Sequence, residues 1–494
     1  MKKMLSLILA LLMVFSLLGT VHAENYDQVV FSYATFNNIP TAEDLAVVEE
    51  AINVITREKI HAEIKLKPIV IWDYSSQISL MLQGGDQIDV FESLGDFNVC
   101  VTTGMARDLT DMLATDAKEA CELVGDDWLA ACSQKGRIYG IPTLKPIALT
   151  PMVIYRQDIV DELGLDMSQV NSPFDLTEIF RKVKAGRPDI TPLSAVNTGN
   201  IGLGLTVPHV DYLSDDYYSP KGVLMNGEMT VVDFYASEEF RKACELARTW
   251  YNEDLVMKDA ATTSSTAAEL RNSGKYFASI ASYSYPEADT AASLELQSNG
   301  IKLGAKIIGS AFLDTTSVNA LSWMISSTSK VPEAALKFLN LTYCDPDIIN
   351  LVIYGIEGRD YVKNDDGTVR YPDGFDAASV PYTAQLSCGT FGNFFLMYPM
   401  EGTSIESLAW EQEQNKNAET SAAMGFTFDN KRVKTQYTAV SNVIEQYLAG
   451  LICGAVDPET EIPIFLQRLS DAGLGYIIAA KQAQLYEWLA AQGK

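Results

Sequence analysis

Histidine is nearly missing from this chain: only His22, His61 and His209 occur among 494 residues. No CxxC or HExxH spacing occurs either, so the side-chain sets that hold zinc are not supplied, and each lone histidine reads as structural. No metal and no cofactor is expected. Cysteine is sparse and odd in number. Seven residues scattered from Cys100 to Cys453 leave at least one unpaired and do not make the dense framework that staples small secreted domains. Cys121 and Cys132 fall on what reads as one continuous helix, about 16 Å apart by helical rise, too far to bridge. The thiols are read as small buried apolar groups, which suits a reducing or oxygen-poor setting. The GxSxG nucleophile elbow is absent as well.

Positive charge is also short. Acidic residues outnumber basic ones 64 to 37, a formal charge of -27 that repels phosphate backbones and anionic lipid, so nucleic acid is not an expected partner. Solubility or the steering of a cationic ligand accounts for that charge. Long apolar runs are confined to the start of the chain. Lys2 and Lys3 precede an apolar stretch from Met4 to Leu18, and Val21-His22-Ala23 supplies small residues before a cut. A secretory signal peptide over residues 1–23 is expected, since the stretch falls short of the ~20 residues a spanning helix needs. Leu17-Leu18-Gly19 resembles the run before a lipid-carrying cysteine, but position 20 is threonine and offers no thiol for diacylglycerol.

Roughly 470 residues remain after such a cut, more than one hydrophobic core usually supports, so two or more domains are expected. Val29 to Tyr33 is β-branched or aromatic, and Thr41 with Asp44 forms a capping box ahead of Leu45, Val48, Ile52 and Ile55 at helical spacing. Ala62 to Pro68 alternates apolar and polar residues, Ser75 to Leu82 is helix-like, and Ile88 to Phe91 reads as a third strand. Strands alternating with helices predict a parallel sheet whose ligand sits beyond the strands' carboxyl ends, in the loops 34–40 and 92–97. Gly140-Ile141-Pro142 marks an extended crossover into a second unit. Phe240, Ala243, Cys244, Ala247 and Trp250 form the apolar face of a helix, and Phe277 to Tyr285 reads as a strand and second crossover. Ala320 to Ser326 is a strand leading to a helix with Pro332 in its first turn, and Asp365-Asp366-Gly367 is a hairpin turn. Trp128, Trp250, Trp410 and Trp488 are assigned to the core. No internal repeat or low-complexity linker interrupts the pattern.

An exported α/β unit, a crossover at Gly140-Ile141-Pro142 and a second unit together resemble the extracellular solute-binding proteins of bacterial ABC importers. More specific are Phe234 to Ala261 (FYASEEFRKACELARTWYNEDLVMKDAA), Tyr354-Gly355-Ile356-Glu357-Gly358-Arg359-Asp360-Tyr361, Phe391-Gly392-Asn393 and Met424 to Asp429 (MGFTFD). These are similar to a subgroup that carries a C-terminal region of unknown function. The resemblance implies a two-lobed, periplasmic-binding-protein-like (type II) α/β clamp with hinge crossovers. Its lobes would be residues 24–143 plus about 286–345, and 144–285 plus about 346–494. It also implies a monomer, no catalysis, a small solute, most often a sugar or oligosaccharide, and delivery to membrane permease subunits. Many relatives are tethered by the lipidated cysteine missing here.

Sugar rings pack a C–H face on aromatics, and their hydroxyls need carboxylates, amides and arginine. The candidate site residues are therefore Tyr33 and Phe36 after the first strand, Trp72, Asp73 and Tyr74 after the second, and Ser93 and Asp96 after the third. Tyr283 and Tyr285 are added from the crossovers, and Glu357, Arg359 and Asn393 from the C-terminal region. Core packing or a hinge contact is the commoner role for each aromatic, and Glu357 and Arg359 are close enough to pair with each other or to cap a hinge. Two other functions remain open: a secreted glycoside hydrolase, for which two carboxylates would suffice, and a module presenting bound ligand to a receptor.

Overall fold

The computed structural model describes residues 25–36, 39–203, 209–215 and 219–493. The expected signal peptide over residues 1–23 lies outside them. Among the described residues no helix is long and apolar enough to cross a membrane.

The chain opens with β1 (Asp27–Thr35), helix α1 (Ala42–Ile60), β2 (Ala62–Val70), helix α2 (Tyr74–Gly84) and β3 (Val90–Glu92). β1 pairs in parallel with β2 along its whole length and with β3 at Phe31 and Val90. The carboxyl half of β1 is buried on both faces, as a parallel strand covered on each side requires. Thr41 caps α1 by accepting from the Asp44 amide at 3.2 Å, and Val48 and Ile52 are buried, as their spacing predicts. After β4 (Ile141–Pro142) the chain crosses into a second sheet, with β5 (Thr150–Arg156), β6 (Thr191–Leu193), α3 (Glu238–Asn252), β7 (Tyr276–Tyr283), α4 (Glu287–Glu295) and β8 (Leu303–Ile307). It returns in β9 (Ser322–Ile325). The sheet orders are β2-β1-β3-β9-β4 in lobe 1 and β8-β5-β7-β6 in lobe 2.

Helices α5 (Pro332–Cys344) and α6 (Pro346–Tyr354) follow in lobe 1, then α7 (Ile405–Asn417). Three C-terminal helices close the chain: α8 (Lys434–Ile452), α9 (Pro458–Ala472) and α10 (Leu474–Ala491). In lobe 1, Phe31 stacks on Trp323 with ring centroids 4.7 Å apart, and the indole N–H donates to the Thr390 carbonyl at 2.7 Å. The expected apolar face of α3 is divided between two cores. Ala247 and Trp250 join lobe 2, whereas Phe240 and Cys244 join the C-terminal helices.

The expected lobe boundaries change in two places. Residues 286–307 stay with lobe 2, because β8 pairs antiparallel with β5 from Leu303 and Arg156 to Ile307 and Met152. Residues 346–400 go with lobe 1, because Ile348, Ile349, Val352, Tyr382 and Phe391 share one core with Phe31 and Trp323. The strand over Phe277 to Tyr285 is therefore no crossover. The crossings are 143–149, 308–321 and 401–421, the last containing α7. Cys121 and Cys132 do not share a helix: Gly125, at φ 82°, breaks the segment into 118–124 and 126–131. All seven cysteines are free thiols. The hairpin turn at residues 365–367 joins two short antiparallel strands, as its sequence predicts. Of the four tryptophans, Trp250 is fully buried and Trp128 and Trp488 pack half-buried against core, whereas Trp410 is half-buried on α7 and belongs to no apolar cluster of the described residues.

Candidate functional site

The carboxyl ends of β1, β2 and β3 in lobe 1 and of β6, β7 and β8 in lobe 2 lie at the crossover edge, where the antiparallel strands β9 and β5 begin. In lobe 1 the Ser93 amide, just past β3, donates to the carbonyl of Ser322, where the chain re-enters from lobe 2. In lobe 2 Tyr283, the last residue of β7, lies opposite Thr150, where the chain first enters. The strand ends of each lobe thus lie beside the connecting segments, the edge at which such sheets bind ligands.

Lobe 1 presents two exposed aromatics at this edge. Trp72 is 83% exposed and Phe36 50%, and their rings stand edge to face with centroids 6.1 Å apart. The local chain enforces this. β1 ends at Thr35, and the Phe36 amide is held by the Ser387 hydroxyl at 3.3 Å. β2 runs into a single 3-10 turn over Ile71–Asp73, which turns Trp72 outward while Tyr74 points into the lobe. The Tyr74 phenol donates to the Ser32 carbonyl at 3.0 Å and accepts from the Glu92 amide at 2.9 Å, locking β1, β3 and α2 together. Asp73 and Asp96 are exposed beside the ends of β2 and β3, and Leu386, next to Ser387, is exposed too.

The other sequence-derived candidates have different surroundings. Tyr33 is buried with its hydroxyl 3.2 Å from that of Tyr382. Ser93 accepts from the Ser322 amide at 3.0 Å. Asn393 donates to the Tyr343 carbonyl and accepts from the Phe395 amide, each at 3.1 Å, inside lobe 1. Glu357 and Arg359 do not pair with each other: Glu357 meets Lys363 at 3.3 Å, and Arg359 ties Asp44 of α1 to Asp360 beyond α6. The polar atoms of Tyr33, Ser93, Arg359 and Asn393 are bonded within lobe 1, whereas Glu357 stays exposed. Tyr283 and Tyr285 are half-buried at the end of β7, and burial raises their phenols above the ordinary range.

Several side chains that sequence reasoning did not single out line the crossovers. Glu92, the last residue of β3, is buried with neither carboxyl oxygen hydrogen-bonded, and burial pushes its acid well above the usual carboxylate range against the pull of Lys145. Lys145, on the first crossover, is held below the usual lysine range by burial, with Glu92 opposing. Glu411, on α7, is pushed up to about 7 by burial, against a hydrogen bond from Ser284. One turn on, Asn415 donates to the Lys145 carbonyl at 2.7 Å and accepts from the Ile147 and Ala148 amides at 3.0 Å. On the second crossover Asp314 caps the short helix 315–319 and lies near Asp211, whose acid burial and the Asp314 charge push up to about 7. Only Glu92 carried a sequence signal: strand alternation sets it on the same face as buried Val90. Among the described residues no group of three or more His, Cys, Asp or Glu is arranged to hold a metal ion.

This geometry can grip a ligand by ring stacking and hydrogen bonding between two lobes. Comparison with known proteins agrees with that architecture. A domain of unknown function (DUF3502) matches residues 422–490. A carbohydrate ABC transporter substrate-binding protein of Streptococcus pneumoniae is 23% identical over 428 residues, covering 85% of this chain and 83% of the relative. The crystal structure of an N-glycan transport solute-binding protein from the same species superposes with a TM-score of 0.76 at 21% identity, covering 94% of this chain and 99% of that one. Its complex with Man1GlcNAc gives 0.65 at 22% identity, covering 94% and 100%. The family described as bacterial extracellular solute-binding protein matches residues 46–343, well over half of the sequence, and with the two-lobed α/β (type II) fold this chain belongs to that family.

Proposed function

We propose that this protein is the carbohydrate-capturing component of an ABC importer, taking an oligosaccharide into the interlobe cleft and handing it to membrane permease subunits. The observation that carries this reading is the Phe36 and Trp72 pair. An indole left 83% in water at the carboxyl end of a parallel strand, with a second ring edge-on to it, is an unfilled stacking platform for a sugar face. The N-glycan ligand of the Streptococcus pneumoniae protein of the same fold supports the choice of a hydroxyl-rich solute.

The protein works by differential affinity and needs no bond-making step. A ligand touching both lobes favours the closed form, and the three crossovers absorb the rotation. Export by removal of residues 1–23, retention at the cell surface through the permease and a monomeric state complete the reading. Isothermal titration of residues 24–494 with Man1GlcNAc and Man5GlcNAc, with chromatography of the recovered sugar, tests it. Stoichiometric binding with the sugar returned intact is expected. Absence of heat with either sugar would overturn the carbohydrate assignment, and hydrolysed product would establish an enzyme instead.

A further inference from the structure

β6 and β7 run parallel, so the loop leaving β6 emerges at the same edge of lobe 2 as Tyr283, facing the crossovers. This loop starts beside β7, where the Ser194 amide donates to the Ala278 carbonyl at 2.9 Å, and farther on the Gly199 amide donates to the carbonyl of Ala260, in the segment after α3, at 3.0 Å. At its tip, residues 198–200 meet α8 of the C-terminal region. Between them lies a partly open cavity of about 540 Å³, within the ~300–1,000 Å³ typical of small-ligand sites.

The walls of this cavity differ in chemistry. Leu448 and Ala449 of α8 give it an apolar side, while Thr198, Asn200 and Glu445 give hydroxyl, amide and carboxylate groups around the rest. Its floor is rigid. The Lys221 ammonium lies 4.3 Å from the centre of the Tyr437 ring and donates to the carbonyl and hydroxyl of Ser219 at 2.6 and 2.9 Å. The Tyr437 phenol donates to Asp215 at 2.6 Å, and Asp215 in turn receives the buried Lys481 at 2.7 Å. An apolar wall facing a ring of mixed donors and acceptors suits a sugar, which is itself apolar on one face and polar at its edges. Glu445 and the -27 charge of the chain disfavour a uronate or sialylated residue there.

We propose that this cavity is a second saccharide subsite, shared by lobe 2 and the C-terminal region, which receives a neutral segment of an oligosaccharide too long for the lobe 1 aromatics alone. The inference rests on the carbohydrate reading above and assigns the C-terminal region a part in binding. A longer ligand spanning both subsites gains affinity because the second contact is intramolecular once the first is made.

The test compares Man1GlcNAc with Man5GlcNAc by isothermal titration on residues 24–494 carrying Ser441→Phe, which fills the cavity from α8, and separately Glu445→Gln, an exposed and nearly isosteric change. Each variant is to lose about tenfold or more in affinity for Man5GlcNAc and to keep its affinity for Man1GlcNAc within about twofold. Equal losses for both sugars, or no loss in Glu445→Gln, would overturn the subsite. Should Ser441→Phe fail to fold, Glu445→Gln decides alone. A wild-type chain that binds neither sugar strikes the carbohydrate reading itself, an outcome distinct from a wild type that binds both with variants that discriminate nothing.

Discussion

Asn415 fastens Lys145: the side-chain amide of one donates to the backbone carbonyl of the other at 2.7 Å, and the same side chain accepts the amides of Ile147 and Ala148. The third interlobe crossing is thereby bonded to the first. Replacing Asn415 by Ala leaves two N–H groups and one carbonyl without partners in a part-buried setting. Asn415→Ala is expected to destabilise the protein by roughly 2–3 kcal/mol in urea titration, and Asn415→Asp, which keeps the acceptor, by less. A change below about 0.5 kcal/mol for the alanine variant would deny the clamp.

Trp72 and Phe36 are exposed at the ends of β2 and β1 and contribute little to the fold. Trp72→Ala is expected to weaken oligosaccharide binding by roughly 1 kcal/mol or more with the melting temperature of the unliganded protein unchanged. Phe36→Ala acts in the same direction. An unaltered dissociation constant in both variants would remove the pair from the site.

The pH dependence follows from Glu411. Its folded-state acid lies at about 7, above the ordinary glutamate value, because burial disfavours the carboxylate. The folded protein therefore holds this proton more tightly than the unfolded chain does. The contribution to stability is full below about pH 4 and is lost as pH rises through 7. Glu411→Gln is expected to flatten stability between pH 5 and 8 and to be the more stable protein at pH 8, by up to the order of 3 kcal/mol. Asp211 titrates in the same direction, so the difference between wild type and Glu411→Gln, not the wild-type profile, isolates the residue. Parallel pH profiles for the two proteins would refute the assignment.

How far the sequence reaches can be judged from particular residues. Local periodicity is enough for β1, α1, α3 and the hairpin at Gly367, because each carries its own pattern of burial or turn chemistry. Leu303 to Ile307 could not be assigned to lobe 2 in that way: what places it is pairing with β5, nearly 150 residues earlier. The transfer of residues 346–400 to lobe 1 is equally non-local, resting on contacts of Ile349 and Tyr382 with a core begun at Val29. The exposure of Trp72 at the edge of lobe 1 was legible because the strand ends just before it, whereas Tyr74, two residues on, carries the same residue class and faces inward. Glu411 was not legible at all, since an acid within a polar helix gives no sign that the third crossover will bury it.

Lys481 and Asp215 form a fully buried ion pair 2.7 Å apart at the centre of the C-terminal region, where the ammonium also donates to the Gly222 and Tyr212 carbonyls at 2.8 and 3.1 Å. Burial holds the lysine below the usual lysine range, and Asp215 opposes that shift. Lys481→Met removes the cation and leaves the carboxylate with the Lys221 amide and the Tyr437 phenol. A loss on the order of 3–5 kcal/mol is expected, the usual result of uncovering one buried charge. Lys481→Met combined with Asp215→Asn is expected to recover a substantial part of that loss, since no charge then stays buried unpaired. Chemical denaturation of the two variants measures the recovery. A double variant no more stable than Lys481→Met would mean that the lysine's bonds to the two carbonyls, and not its pairing with Asp215, hold α10 to the rest of the region.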